Sequence, residues 1–171
     1  MGMSAVLCSL SPARRAMLEK QPDLVDEIAQ ARFAGDIPGL VDLDKTWDAL
    51  QKMLGEELAE AVVATAGMTV GSTGFGPATI VGPERVAQLA AALEQLPSDF
   101  VEQRYAALHG RNVHGGYGQE VPHSGDGAWL REQVLANRAS EIETLTGALN
   151  AVVELYRRAA RDRHAMLSMV L

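Results

Sequence analysis

The segment HAMLSMVL, residues 164–171, is short, apolar and preceded by charge, and it reads as a closing β-strand. MSAVLCSL, residues 3–10, has the same character and stops at Ser11-Pro12. Two buried strands at opposite ends of one chain are expected to pair. The expected fold class is therefore α+β: a helix-rich single domain over residues 1–171, with a small sheet joining the terminal strands and a long C-terminal helix.

That long helix is the segment Ala128 to Arg161. Leu135, Ala139, Ile142, Leu145, Leu149, Val152 and Tyr156 recur on one face, and unbroken it would run ~50 Å, with Gly147 as its weak point. Towards the N-terminus, Ser11 as cap and Pro12 at the first helical position open a helix that Pro22 interrupts. Asp23 restarts it with Leu24, Ile28 and Ala31, and Gly35 and Pro38 close it.

The run LVDLDKTWDALQKMLG, Leu40 to Gly55, is read as a capped amphipathic helix. Asp42 is the expected N-cap, and Asp44 faces the positive end of the helix dipole. Leu43, Trp47, Leu50 and Leu54 form its apolar stripe, with Lys45, Asp48 and Lys52 on the other side and Asp48 and Lys52 paired at i,i+4. Trp47 is a core anchor in this reading. The helix is expected to continue to Ala66, and GMTVGSTGFGP, broken by four glycines, to be a loop before a short extended piece at Ala78 to Val81. Pro83 then begins a helix with Val86, Leu89, Ala90 and Leu93 inward, ended by Pro97. Ser98 is expected to cap the next, in which Val101, Tyr105 and Leu108 share a face. From His109 to Gly127 the chain is rich in Gly and His without periodicity, and reads as the longest loop.

Composition bounds the function. A formal net charge of −7 and a pI near 5.1 argue against general nucleic-acid binding, which needs a basic face. No run approaches ~18 uncharged apolar residues, so no membrane span is expected. MGMSAV carries no signal-peptide pattern, and Cys8 as the single cysteine fits a reducing cytoplasm.

Four runs together resemble the YfbM-like family of bacterial proteins of unknown function: the MGM start with its strand, LDKTWDAL at Leu43 to Leu50, GFGPATIVGPERV at Gly74 to Val86, and LYRRAARDRHAMLSMVL at Leu155 to Leu171. The resemblance implies an α+β fold with paired terminal strands and brings no catalytic residues with it. Family members tend to carry an acidic stretch and Tyr-Pro where this chain has VHGGYGQ.

Several groups of residues invite chemistry. The glycines of GSTGFG, including Gly74 and Gly76, suggest an anion loop, but no Gly-Lys-Ser/Thr follows and turn formation explains them. His109, His114 and His123, with Glu120 and Asp126, are metal-ligand types without a compact ligand spacing, so no metal or other cofactor is expected. Asp42, Asp44 and Asp48 form a carboxylate cluster that Lys45 and Lys52 neutralise. Arg157, Arg158, Arg161 and Arg163 concentrate positive charge at the end of the long helix, where the dipole favours cations; the sharper reading is an acidic partner or a phosphate. The expected function is a cytoplasmic binding or interaction protein without catalytic activity. Its unknown protein or small-molecule partner would meet a surface made of Asp42, Asp44, Lys45, Asp48, Tyr117 and the glycine loops. The alternative is a small hydrolase or transferase in which the acidic helix and the loop histidines converge.

Overall fold

The computed structural model describes residues 3–34, 38–119 and 128–171, apart from the side chains of Ala34 and residues 128–130. Five strands, β1 (Ala5–Leu10), β2 (Leu40–Asp42), β3 (Met68–Thr73), β4 (Gly76–Val81) and β5 (Ala165–Val170), form one antiparallel sheet in the order β2-β1-β5-β4-β3. The terminal strands lie side by side, with Ala5 opposite Val170 and Leu10 opposite Ala165. The expected α+β architecture is the one observed.

Strand periodicity splits the interior into two cores. Ala5, Leu7, Val81 and Met166 face one side, against α3 (Trp47–Leu58), α4 (Pro83–Leu93), α5 (Phe100–Arg104) and the 34-residue α6 (Ala128–Arg161). Val6, Cys8, Leu10, Ile80 and Leu167 face the other, against α1 (Pro12–Lys20) and α2 (Leu24–Ala31). Helices on both faces explain why β1 and β5 read as continuous apolar runs. The one polar side chain buried within β5, Ser168, is satisfied: its Oγ accepts the Ala64 N–H at 3.0 Å and donates to the Val62 carbonyl.

The structure corrects several local expectations. GMTVGSTGFGP is not a loop; Met68–Thr73 and Gly76–Val81 make a β-hairpin, and Gly71 sits where a Cβ would press within 3.3 Å of Val25 Cγ2. A glycine inside a strand here marks close approach of a helix rather than a turn. Leu40–Asp42 is a strand, and Asp42 does not cap α3; its Oδ1 accepts the Asp44 N–H at 2.8 Å in a tight turn that sets Asp44 at φ +42. A 3-10 turn, Asp44–Thr46, precedes α3. Gly55, at φ +70, breaks the helical path, so α3 ends at Leu58 and does not reach Ala66. Asp99, not Ser98, stands at the start of α5. The α6 stripe holds from Ile142 onward, but Val134 is buried where Leu135 and Ala139 were expected, and both of those are exposed. The helix continues through Gly147. Gly35 lies outside the described residues.

Candidate functional site

Two polar regions flank α6. The first brings α3 together with the segment 109–119. Asp48 Oδ2 accepts the Lys52 ammonium and, at 2.7 Å, the backbone N–H of His114. Lys52 Nζ also donates to the Asn112 carbonyl at 3.0 Å. The His114 ring tilts against Trp47 at 6.1 Å between centroids, and the half-buried Trp47 donates its indole N–H to the Met3 carbonyl at 3.2 Å. From α6, Glu141 accepts the Tyr105 hydroxyl and, at 3.1 Å, the Gly118 N–H. Burial, then the Glu141 hydrogen bond, holds the Tyr105 phenol far above its ordinary pKa. Burial, then the Asp44 and Glu141 charges, raises that of Tyr117.

Backbone geometry locks this segment further. Gly118 has φ +82, and a Cβ there would stand 2.4 Å from Leu108 Cβ. Of the carboxylates the sequence singled out, Asp48 bonds the loop, and Lys52 and the His114 N–H occupy it. Asp42 faces Arg32 at 3.9 Å and holds its own turn. Asp44 and Lys45 are exposed. The Nε2 atoms of His109 and His114 are buried without a hydrogen-bond partner among the described residues. Those residues contain no group of three His, Cys, Asp or Glu arranged for a metal ion. His123, with Glu120 and Asp126, lies outside them. Gly74 and Gly76 sit on the β3–β4 hairpin, whose β3 is the sheet edge opposite β2. The tip of that hairpin reaches back to β5, where Thr73 Oγ1 donates to the Val170 carbonyl.

The second region takes in Arg158 from the arginine cluster the sequence singled out, but the groove it borders was not expected. A groove of about 820 Å³ runs between the ends of β1 and β2, the start of α1 and the last turns of α6. Alternation along β1 turns Ser9 to the α6 side, and its Oγ lies 2.9 Å from His164 Nδ1. The end of α6 sets His164 in place. Its N–H donates to the Ala159 carbonyl at 2.8 Å, and Arg163 N–H to that of Ala160 at 3.2 Å, with Arg163 at φ +54. This is a Schellman turn with arginine where glycine is usual. His164 thereby leaves the helix and enters the groove one residue before β5 begins.

Arginines and carboxylates share this corner. Glu154 pairs with Arg157 and Arg158, and Asp162 with Arg161. The Arg158 hydrogen bond holds the Glu154 carboxyl below its ordinary value, and Arg161 does the same for Asp162. No described carboxylate pairs with Arg14, which lines the groove from α1. Of the four arginines at the end of α6 only Arg158 borders the groove, so its wall carries Arg14 and Arg158 with Glu154 and Asp162. The expected strand pairing was the signal that could have found it, since joining β1 to β5 brings residues 9 and 164 together across most of the chain.

The fold and the groove define a helix-covered antiparallel α+β protein with a polar cleft at the junction of its terminal strands. The chain belongs to the family described as Domain of unknown function (DUF1877), whose model matches residues 1–169. Its structure is similar to the crystal structure of YfbM from Escherichia coli, a protein of unknown function, at a TM-score of 0.66 and 15% identity, covering 98% of this chain and 99% of that one. The YfbM-like resemblance read from the sequence is thus borne out. At that identity the likeness carries the fold and no residue's role. No curated protein matches the chain.

Proposed function

We propose that this is a binding protein without catalytic activity that holds a small polar molecule in the groove at the end of α6. The supporting observation is convergence: Ser9 from β1, Arg14 from α1, Arg158 from α6 and His164 all border one cavity of about 820 Å³. Small-molecule sites occupy roughly 300–1,000 Å³ and are oriented by a few such polar groups. The α3 region, by contrast, spends its polar groups on its own loop. No helix among the described residues is long and apolar enough to cross a membrane. The single cysteine supports the bacterial cytoplasm as the compartment.

Thermal unfolding against a panel of phosphates, carboxylates, nucleosides and sugars tests this. A ligand at a hundred times its Kd stabilises by about 2.7 kcal/mol. Ala151→Trp, which fills the groove from the α6 side, should abolish the shift. A ligand that stabilises this variant equally binds elsewhere.

The Ser9–His164 hydrogen bond favours a second reading, a serine hydrolase, because it has nucleophile–base reach. Against it, the Ser9 N–H, the nearest candidate oxyanion donor, is committed to the Gly39 carbonyl at 2.7 Å. Mass spectrometry after treatment with a fluorophosphonate decides the point. Binding without catalysis predicts no adduct on Ser9, and an adduct that disappears in Ser9→Ala would install the hydrolase.

A further inference from the structure

A second hollow adjoins the groove, and this inference rests on the groove reading above. It measures about 290 Å³ and lies between α1 and α2, lined by Leu10, Met17, Leu18, Leu24 and Ile28 with Glu27 at its margin. Arg14 and Leu40 border both spaces. The two differ in chemistry: the groove presents Ser9, His164, two arginines and the carboxylates of Glu154 and Asp162, the hollow mainly aliphatic carbon. Arg14 and Met17 stand three residues apart on α1, so their side chains are neighbours along one face. Met17 is 55% exposed, a large apolar side chain left open to water beside an apolar recess.

We propose that the ligand is an amphipathic monoanion, a carboxylate on an aliphatic chain, with its head against Arg14 in the groove and its tail in the hollow. Charge complementarity selects the anion at Arg14, because no described carboxylate pairs with it, whereas Arg158, the other arginine of the groove, is held by Glu154. Glu27, which also lines the hollow, disfavours a carboxylate head there, while Arg14 attracts one. The hollow then takes what the head carries. Each methylene placed in it should tighten binding roughly two- to fourfold, the spread reflecting partial exposure.

Calorimetric titration of the full chain at low ionic strength with acetate, butanoate, hexanoate and octanoate tests this, with neutral octanol and inorganic phosphate as controls. Affinity should climb along the series, octanoate should exceed octanol, and Arg14→Gln should weaken octanoate about tenfold. Met17→Asn, a polar change without charge, should flatten the chain-length dependence. Both variants alter exposed side chains, and circular dichroism verifies their fold. Equal binding of acetate, phosphate and octanoate, removed by Ala151→Trp, would leave the groove reading standing and overturn the amphipathic one. Octanol matching octanoate, or Arg14→Gln without effect, overturns the role of the charge. Failure of every anion overturns this inference, while neutral ligands that Ala151→Trp excludes would still support the groove.

Discussion

The two polar regions at either half of α6 contain the same kinds of side chain and use them in opposite ways. Near Glu141, carboxylates accept from Tyr105, Gly118, Lys52 and His114, and the bonds fasten the segment 109–119 to α3 and α6. Near Arg158, which Glu154 holds, Arg14 lines the groove with no described counter-charge. A polar cluster that satisfies itself is structural: removing one member strands its partners. A cluster with surplus charge on the wall of a cavity is free to meet something else, and truncating it leaves the fold intact.

Substitutions should separate the two. Gly118→Ala has the largest expected effect, about 3 kcal/mol of destabilisation in denaturant unfolding, because the new Cβ meets Leu108 and the backbone is left-handed. A change under 0.5 kcal/mol would show the segment to be loosely held. Cys8 lies beside the second region on the α1 side of the sheet, and burial, partly offset by Arg14, raises its thiol from 9.0 to about 11. Its raised value means the folded state holds the proton more tightly. The associated stability is complete below pH 9 and disappears as pH rises through 11, an effect on the order of 2 kcal/mol. Cys8→Ala should remove that difference between pH 8 and pH 11, and identical pH profiles for the two proteins would refute it.

Asp48→Ala should cost about 1–2 kcal/mol, since it strands both the His114 N–H and Lys52. Hydrogen exchange should rise at residues 112–116, and unchanged protection there would count against the clamp. Arg163→Gly should stabilise by about 1 kcal/mol, because φ +54 costs an arginine what it does not cost a glycine. The smallest effect belongs to Arg14→Gln, within about 0.5 kcal/mol of wild type. A larger loss would move Arg14 into the structural class and erase the contrast.

Much of the fold was legible from periodicity. Pro83 to Leu93 and the stripe from Ile142 to Tyr156 repeat apolar residues at helical spacing, while the terminal strands, continuous apolar runs without a period, were legible from their length and, for the first, from the Ser11-Pro12 stop. The β3 strand was not, because Gly71 and Gly74 read as turn residues. Only the tertiary approach of Val25 explains why Gly71 belongs in a strand. Residues Leu40–Asp42 are too few to show alternation. Site residues divide similarly. Asp48 and Lys52 are one helical turn apart and visible as a pair, whereas the bond Asp48 accepts from the His114 N–H and the one Lys52 donates to the Asn112 carbonyl depend on loop packing. Ser9 and His164 are far apart in sequence and become neighbours through strand register, which no local pattern encodes.

The adjacency of β1 and β5 also bears on how the chain comes into being. Synthesis proceeds from the N-terminus at about 5–20 residues per second, so AVLCSL waits roughly 8–30 s before its partner AMLSMV exists. During that interval β1 can pair with β2, and β3 with β4, yet nothing joins the two ribbons. Closing them requires a loop of some 155 residues, an entropic cost of roughly 4–5 kcal/mol. A nascent chain stopped before Ala165 therefore carries two half-sheets with bare apolar edges, the kind of intermediate that chaperones recognise, and the last strand to emerge is the one that makes the sheet continuous.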